Sequence, residues 1–169
     1  MKQIISTKAW QLFVLLLVAF IGSNELIANG LELVDIPLGI LAFFLLFYWY
    51  LAVGLFFYNK SEDKDNNLRT LFVFNCLFLF LYFGYSYMFQ EKTEVLSFEE
   101  TPPYVLVVVV YFVFAYFQML YFISKHIISF LGEDVVNKKF RGALPLFFLL
   151  LFAPIAIWFI QPLLNESYR

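Results

Sequence analysis

From Pro37 to Tyr58 the chain reads PLGILAFFLLFYWYLAVGLFFY, an uncharged run closed on one side by Asp35 and on the other by Lys60. A helix of that length rises about 33 Å at about 1.5 Å per residue, enough to cross the roughly 30 Å hydrocarbon core of a bilayer. No ordinary soluble fold needs so long an apolar segment, and four further apolar runs repeat the pattern. Across the chain 63% of residues are hydrophobic and 14% charged, which leaves too little polar surface to cover a water-soluble globule. The expected fold class is therefore all-α: a polytopic membrane helical bundle with five transmembrane helices, or four if the first segment does not span. One integral-membrane domain over residues 1–169 is expected, because the apolar runs leave no stretch for a separate soluble unit.

The expected spans are about 5–22, 37–58, 70–89, 104–123 and 143–162. The first follows Lys2 and Lys8 as AWQLFVLLLVAFIG. Phe20 spoils the small-x-small cleavage pattern around Gly22, so the segment reads as mature chain rather than a signal peptide. It spans only if Ile4 and Ile5 join it and Lys8 snorkels to the interface. Pro37 is expected in the first turn of the second span, where a missing N–H costs nothing. Thr101-Pro102-Pro103 offers an N-cap and a helix start for the fourth. Val107 to Val110 would suggest a buried strand in water, but the length of the surrounding run decides for a helix. The mixed segment Ser124 to Gly142 is expected to lie in the headgroup plane, and Trp158 in an aromatic belt.

Charge gives an orientation. Nine of the eleven Lys and Arg fall on the N-terminal tail, the 59–70 loop and the 124–142 loop, while eight of the thirteen acids fall on the opposite segments. Basic residues accumulate on the cytoplasmic side, which predicts a cytoplasmic N-terminus and an external C-terminus in a bacterial inner membrane. The net charge of −2 argues against nucleic acid as a partner, since phosphate binding needs a basic face. Cys76 is the single cysteine, so no intramolecular disulfide forms, and its place in an apolar run favours packing over reactivity.

Catalytic parts are scarce. His126 has no second His or Cys at ligand spacing and reads as a snorkelling interfacial residue rather than a metal ligand or base. The chain contains no G-x-S-x-G, H-E-x-x-H or Gly-rich phosphate loop, so hydrolase, metalloprotease and nucleotide-binding readings lack their minimum residues. With Lys8 snorkelling to the interface, no expected span holds a membrane-embedded Asp, Glu, Lys or Arg, which argues against ion-coupled transport. No catalytic residue, metal ligand or cofactor site is expected.

The polar groups at membrane depth are Asn75, Gln118 and several tyrosines. Asn75 stands about seven residues into the third span and Gln118 about six before the end of the fourth, so running in opposite directions they share a depth. They are read as a structural polar pair clamping adjacent helices. The tyrosines at 48, 50, 82, 85, 87, 111, 116 and 121 read as packing residues whose hydroxyls reach the interface or a carbonyl. Pro154 is expected to kink the fifth span, crowding the Leu150 carbonyl and leaving it in need of a donor. Tyr48 and Tyr50 lie at a suitable depth to supply one.

The segment FAPIAIWFIQPLLN, Phe152 to Asn165, resembles a C-terminal signature of small uncharacterised multi-span bacterial membrane proteins, roughly F-P-I-G-I-W-x-I-Q-P-x-I-N. The opening Lys8-Ala9-Trp10-Gln11-Leu12-Phe13 is similar to their start. Ala153, Ala156, Leu163 and Leu164 depart from that pattern, and the resemblance covers the two ends of the chain only. It implies a multi-span membrane fold and carries no activity, so it transfers no site residue. The function expected is that of a non-enzymatic multi-pass bacterial inner-membrane protein, an accessory or assembly subunit acting through helix contacts. Its partners are the lipid bilayer and either another membrane protein or further copies of itself. A small oligomeric channel or facilitator is the alternative, and an intramembrane enzyme using His126 the second alternative.

Overall fold

The computed structural model describes residues 8–16, 18, 32–62, 64–88, 102–140 and 142–168. All regular structure among them is helical: α1 (Glu32–Lys60), α2 (Asn66–Met88), α3 (Pro103–Leu131), α4 (Glu133–Phe140), α5 (Ala143–Leu151) and α6 (Ala153–Tyr168). Residues 9–16 form a helical segment ahead of these. Three helices are long and apolar enough to cross a membrane, over Pro37–Lys60, Asn66–Ser86 and Pro103–Leu131. A fourth crossing exists only if the bent pair α5 and α6 is taken together.

Several boundaries differ from those the sequence suggests, each for a local reason. The first expected span, 5–22, lies partly outside the described residues; its helical part starts at Ala9, where Gln11 Oε1 accepts the Lys8 N–H at 3.2 Å. α1 begins at Glu32, so Pro37 sits inside it rather than in its first turn, and the carbonyl four residues back loses its helical donor. α2 begins four residues before the expected Thr70. Asp65 caps it: its Oδ1 accepts the N–H groups of Asn67 at 2.9 Å and Leu68 at 3.1 Å, two of the donors a helix start leaves unmet.

α3 starts at Pro103, with proline in the position its missing N–H suits; the expected cap Thr101 lies outside the described residues. At its other end α3 runs on to Leu131, eight residues past the expected end. Ile127, Ile128, Phe130 and Leu131 continue its packed side, and Gly132 then closes it at φ 80°, a conformation glycine adopts without a Cβ penalty. Only Glu133–Phe140 remains of the segment expected in the headgroup plane. There Val136 and Phe140 are buried while Val135 and Asn137 face outward.

The fifth expected span is not one helix. α5 stops at Leu151, Phe152 adopts φ −101° and ψ 72°, and the axis turns through 115° into α6.

The core sits where α1, α2 and α3 meet. α1 and α2 run antiparallel, with Phe83 stacked on Phe43 and in contact with Phe47 at one end and Phe72 facing Gly54 at the other. A Cβ on Gly54 would clash with the outer edge of the Phe72 ring. That ring has no room to retreat, since its far face stacks on Phe122 at 4.1 Å between centroids. α3 returns alongside, and Ser61 and Ser129 hydroxyls meet at 2.8 Å. The two segments richest in Lys and Arg therefore lie at one end of the bundle. Cys76, on α2, is buried with its thiol free.

Candidate functional site

Few polar side chains lie inside this apolar bundle, and most do one job each. The first group joins α2 to α3. Asn75 Nδ2 donates to Gln118 Oε1 at 2.9 Å, and Tyr111 Oη donates to Asn75 Oδ1 at 2.7 Å. The structure thus brings together the two amides singled out by depth and adds a tyrosine one helical stretch away. Asn75 is fully buried and uses both ends of its amide. Gln118 Nε2 is buried and makes no hydrogen bond among the described residues. Between apolar helices such bonds are worth about 0.6–1.7 kcal/mol each, because unfolded alternatives in the same solvent also find partners.

The second group surrounds the break between α5 and α6. A helix end leaves its last carbonyls without intrahelical donors, and two tyrosines from other helices answer them. Tyr50 Oη on α1 donates to the Leu150 carbonyl at 2.6 Å, and Tyr116 Oη on α3 to the Leu151 carbonyl at 3.3 Å. Beyond the break, Trp49 Nε1 donates to Gln161 Oε1 at 2.9 Å, both residues fully buried. Pro154 falls in the first turn of α6, where the backbone has already turned. The expected mid-helix kink is therefore a break two residues earlier at Phe152, and proline is placed where its missing donor costs little.

The third group lies at the end of the bundle near the basic segments. Tyr58 Oη donates to Asn66 Oδ1 at 3.0 Å, and the Arg69 guanidinium lies over the Tyr58 ring at 5.6 Å. His126 packs edge-on against the same ring at 5.1 Å and against Phe122 at 4.5 Å. This corrects the expectation of a snorkelling interfacial histidine: His126 is fully buried, because α3 continues past it and turns that face inward. An apolar groove of about 400 Å³ between the 9–16 segment and α1 is lined by Trp10, Val14, Leu38, Leu41 and Leu45 among others. It offers a shape but no chemistry.

Among the described residues no three His, Cys, Asp or Glu side chains are grouped to hold a metal ion. Of the groups above, sequence reasoning names Asn75, Gln118, Tyr50 and Leu150, counts Tyr111 and Tyr116 among the packing tyrosines without their partners, and misses Trp49 and Gln161. Gln161 enters the sequence reading only as part of the FAPIAIWFIQPLLN segment. Fold and contacts define a class, a bundle of long apolar helices tied by isolated polar bonds. Compared with protein-family models, curated proteins and solved structures, the chain matches none.

Proposed function

We propose that the chain is a non-enzymatic multi-pass protein of a bacterial inner membrane, an accessory or assembly subunit that works through helix contacts with a partner membrane protein. One observation carries the reading: the polar hydrogen bonds inside the bundle join neighbouring helices. Asn75 serves Gln118 and Tyr111, Trp49 serves Gln161, and Tyr50 and Tyr116 serve carbonyls. Each cluster closes a helix contact: Asn75, Gln118 and Tyr111 join α2 to α3, and the tyrosines at Leu150 and Leu151 tie the end of α5 to α1 and α3. The apolar lengths of α1, α2 and α3 support the membrane setting. The loop charges support a cytoplasmic N-terminus and an external C-terminus.

A photo-reactive residue placed at Phe74, Leu77 or Leu81, which are exposed along one side of α2, tests this in native membranes. Crosslinks to one other membrane protein in stoichiometric amount are expected. Self-crosslinks alone would overturn the accessory reading in favour of an oligomeric channel or facilitator. That second reading draws on Gln118 Nε2, a buried donor unused beside Asn75 and Tyr111 and suited to lining a polar path.

A further inference from the structure

Trp49 stands thirteenth of the 24 residues in the crossing segment Pro37–Lys60, near the middle of any bilayer that segment spans. Its bond to Gln161 holds α6 at that depth. Glu166 follows five residues later, about 7.5 Å along the helix at about 1.5 Å per residue, and it is exposed at the bundle surface. The hydrocarbon extends about 15 Å on either side of the midplane. Whichever way α6 points, the bent seat leaves a carboxylate facing lipid inside the membrane, where charge is costly.

Straightening at Phe152 removes the conflict. α5 lies antiparallel to α3, with the Phe147 and Phe117 rings 5.9 Å apart and the Leu151 carbonyl on Tyr116. Extended in that register, Trp158, eleven residues beyond Phe147, comes opposite Leu106, eleven before Phe117. That part of α3 is uncovered: Leu106, Val107, Val110 and Val113 are all exposed. Ala143–Leu151 and Ile155–Glu166 together are long and apolar enough for one crossing, which carries Glu166 to the far surface. The Tyr50 bond suits both positions, because residue 154 is proline and offers the Leu150 carbonyl no donor in either. Leaving the bent seat gives up the Trp49–Gln161 bond and the packing of Ile157, Ile160 and Leu164. In lipid no hydrophobic force opposes that exchange.

We propose that α6 is a two-position arm hinged at Phe152, seated on Trp49 when bent and along the outer half of α3 when straight, with a bilayer favouring the straight seat. The inference rests on the reading that these helices cross a membrane, and the two fail separately. Release of the chain from membranes by alkaline carbonate would remove the membrane reading itself. The arm is tested by oxidative disulfide crosslinking on a Cys76→Ala background, with two double variants. Leu106→Cys with Trp158→Cys reports the straight seat. Phe13→Cys with Trp158→Cys reports the bent one, in which those rings lie 5.6 Å apart.

In native membranes the Leu106 pair should crosslink several-fold more than the Phe13 pair, and in detergent micelles the ratio should reverse. Adding Gln161→Leu should move the detergent ratio back toward the straight seat. Dominance of the Phe13 pair in membranes would overturn the proposal. So would the absence of either crosslink under both conditions, since that leaves a single position. If the Gln161→Leu variant does not accumulate, the ratio in the parental background decides alone.

Discussion

The Tyr50 hydroxyl donates to the Leu150 carbonyl across 2.6 Å, tying α1 to the last turn of α5. The acceptor is one that a broken helix and a proline four residues on both leave without a backbone donor. Tyr50→Phe removes the donor and keeps the ring, so it should cost about 1–2 kcal/mol, read as a lowered thermal midpoint in detergent. Pro154→Ala restores an N–H that can reach Leu150 only if α5 and α6 straighten. In that background Tyr50→Phe should cost measurably less, and an unchanged cost would show that the helix stays broken.

The amides of α2 and α3 should not be equivalent. Asn75→Leu removes two hydrogen bonds and takes the partner from the half-buried Tyr111 and from the buried Gln118 Oε1. Gln118→Leu removes one bond and also removes the unused Nε2 donor. Asn75→Leu should therefore cost more, by about 1–2 kcal/mol, and the double variant less than the sum. Thermal midpoints of the two single variants and the double variant decide this, and strict additivity would show that the residues do not act together.

Gly54→Ala should destabilise the bundle although alanine is the better helix former. The propensity gain is about 0.5–1 kcal/mol, whereas overpacking a core costs about 1–3 kcal/mol. Here the clash falls on a ring clamped against Phe122. Phe72→Leu should relieve it, so Gly54→Ala should become neutral or stabilising in that background. Equal loss in both backgrounds would place the cause elsewhere.

Topology follows from the basic segments at one end. A reporter active only outside the cytoplasm should work when fused after Glu32, Glu94 or Tyr168 and stay silent after Asp65 or Lys138. Activity after Asp65 would reverse the orientation. Silence at Tyr168 with activity at Glu32 would mean that α5 and α6 together do not cross.

Legibility in the sequence divides along a physical line. Depth is readable, because each helical residue advances by a fixed rise; hence the pairing of Asn75 with Gln118 and of Tyr50 with Leu150. Rotation about a helix axis is not readable where nearly every residue is apolar, and so the Tyr111–Asn75 and Trp49–Gln161 bonds go unseen. Asp65 is a cap signal hidden in a polar loop, where several Asp and Asn compete for the same role. Ser124-Lys125-His126 reads as a helix end because three polar residues follow an apolar run. The apolar residues after them keep the helix going and bury the imidazole. At Phe152 the sequence carries the proline but not the direction of the turn, which depends on what lies alongside α5.

Cys76 has a practical consequence. The chain has this one thiol, and it is shielded on α2 beside the Asn75 amide. In the folded protein a small membrane-permeant maleimide should therefore find nothing to label, and its rate of attachment becomes a clock for transient separation of α2 from its neighbours. Nature has supplied a single-site opening probe with no engineered background to subtract, and it reports on the same helix that carries Asn75 and Phe72.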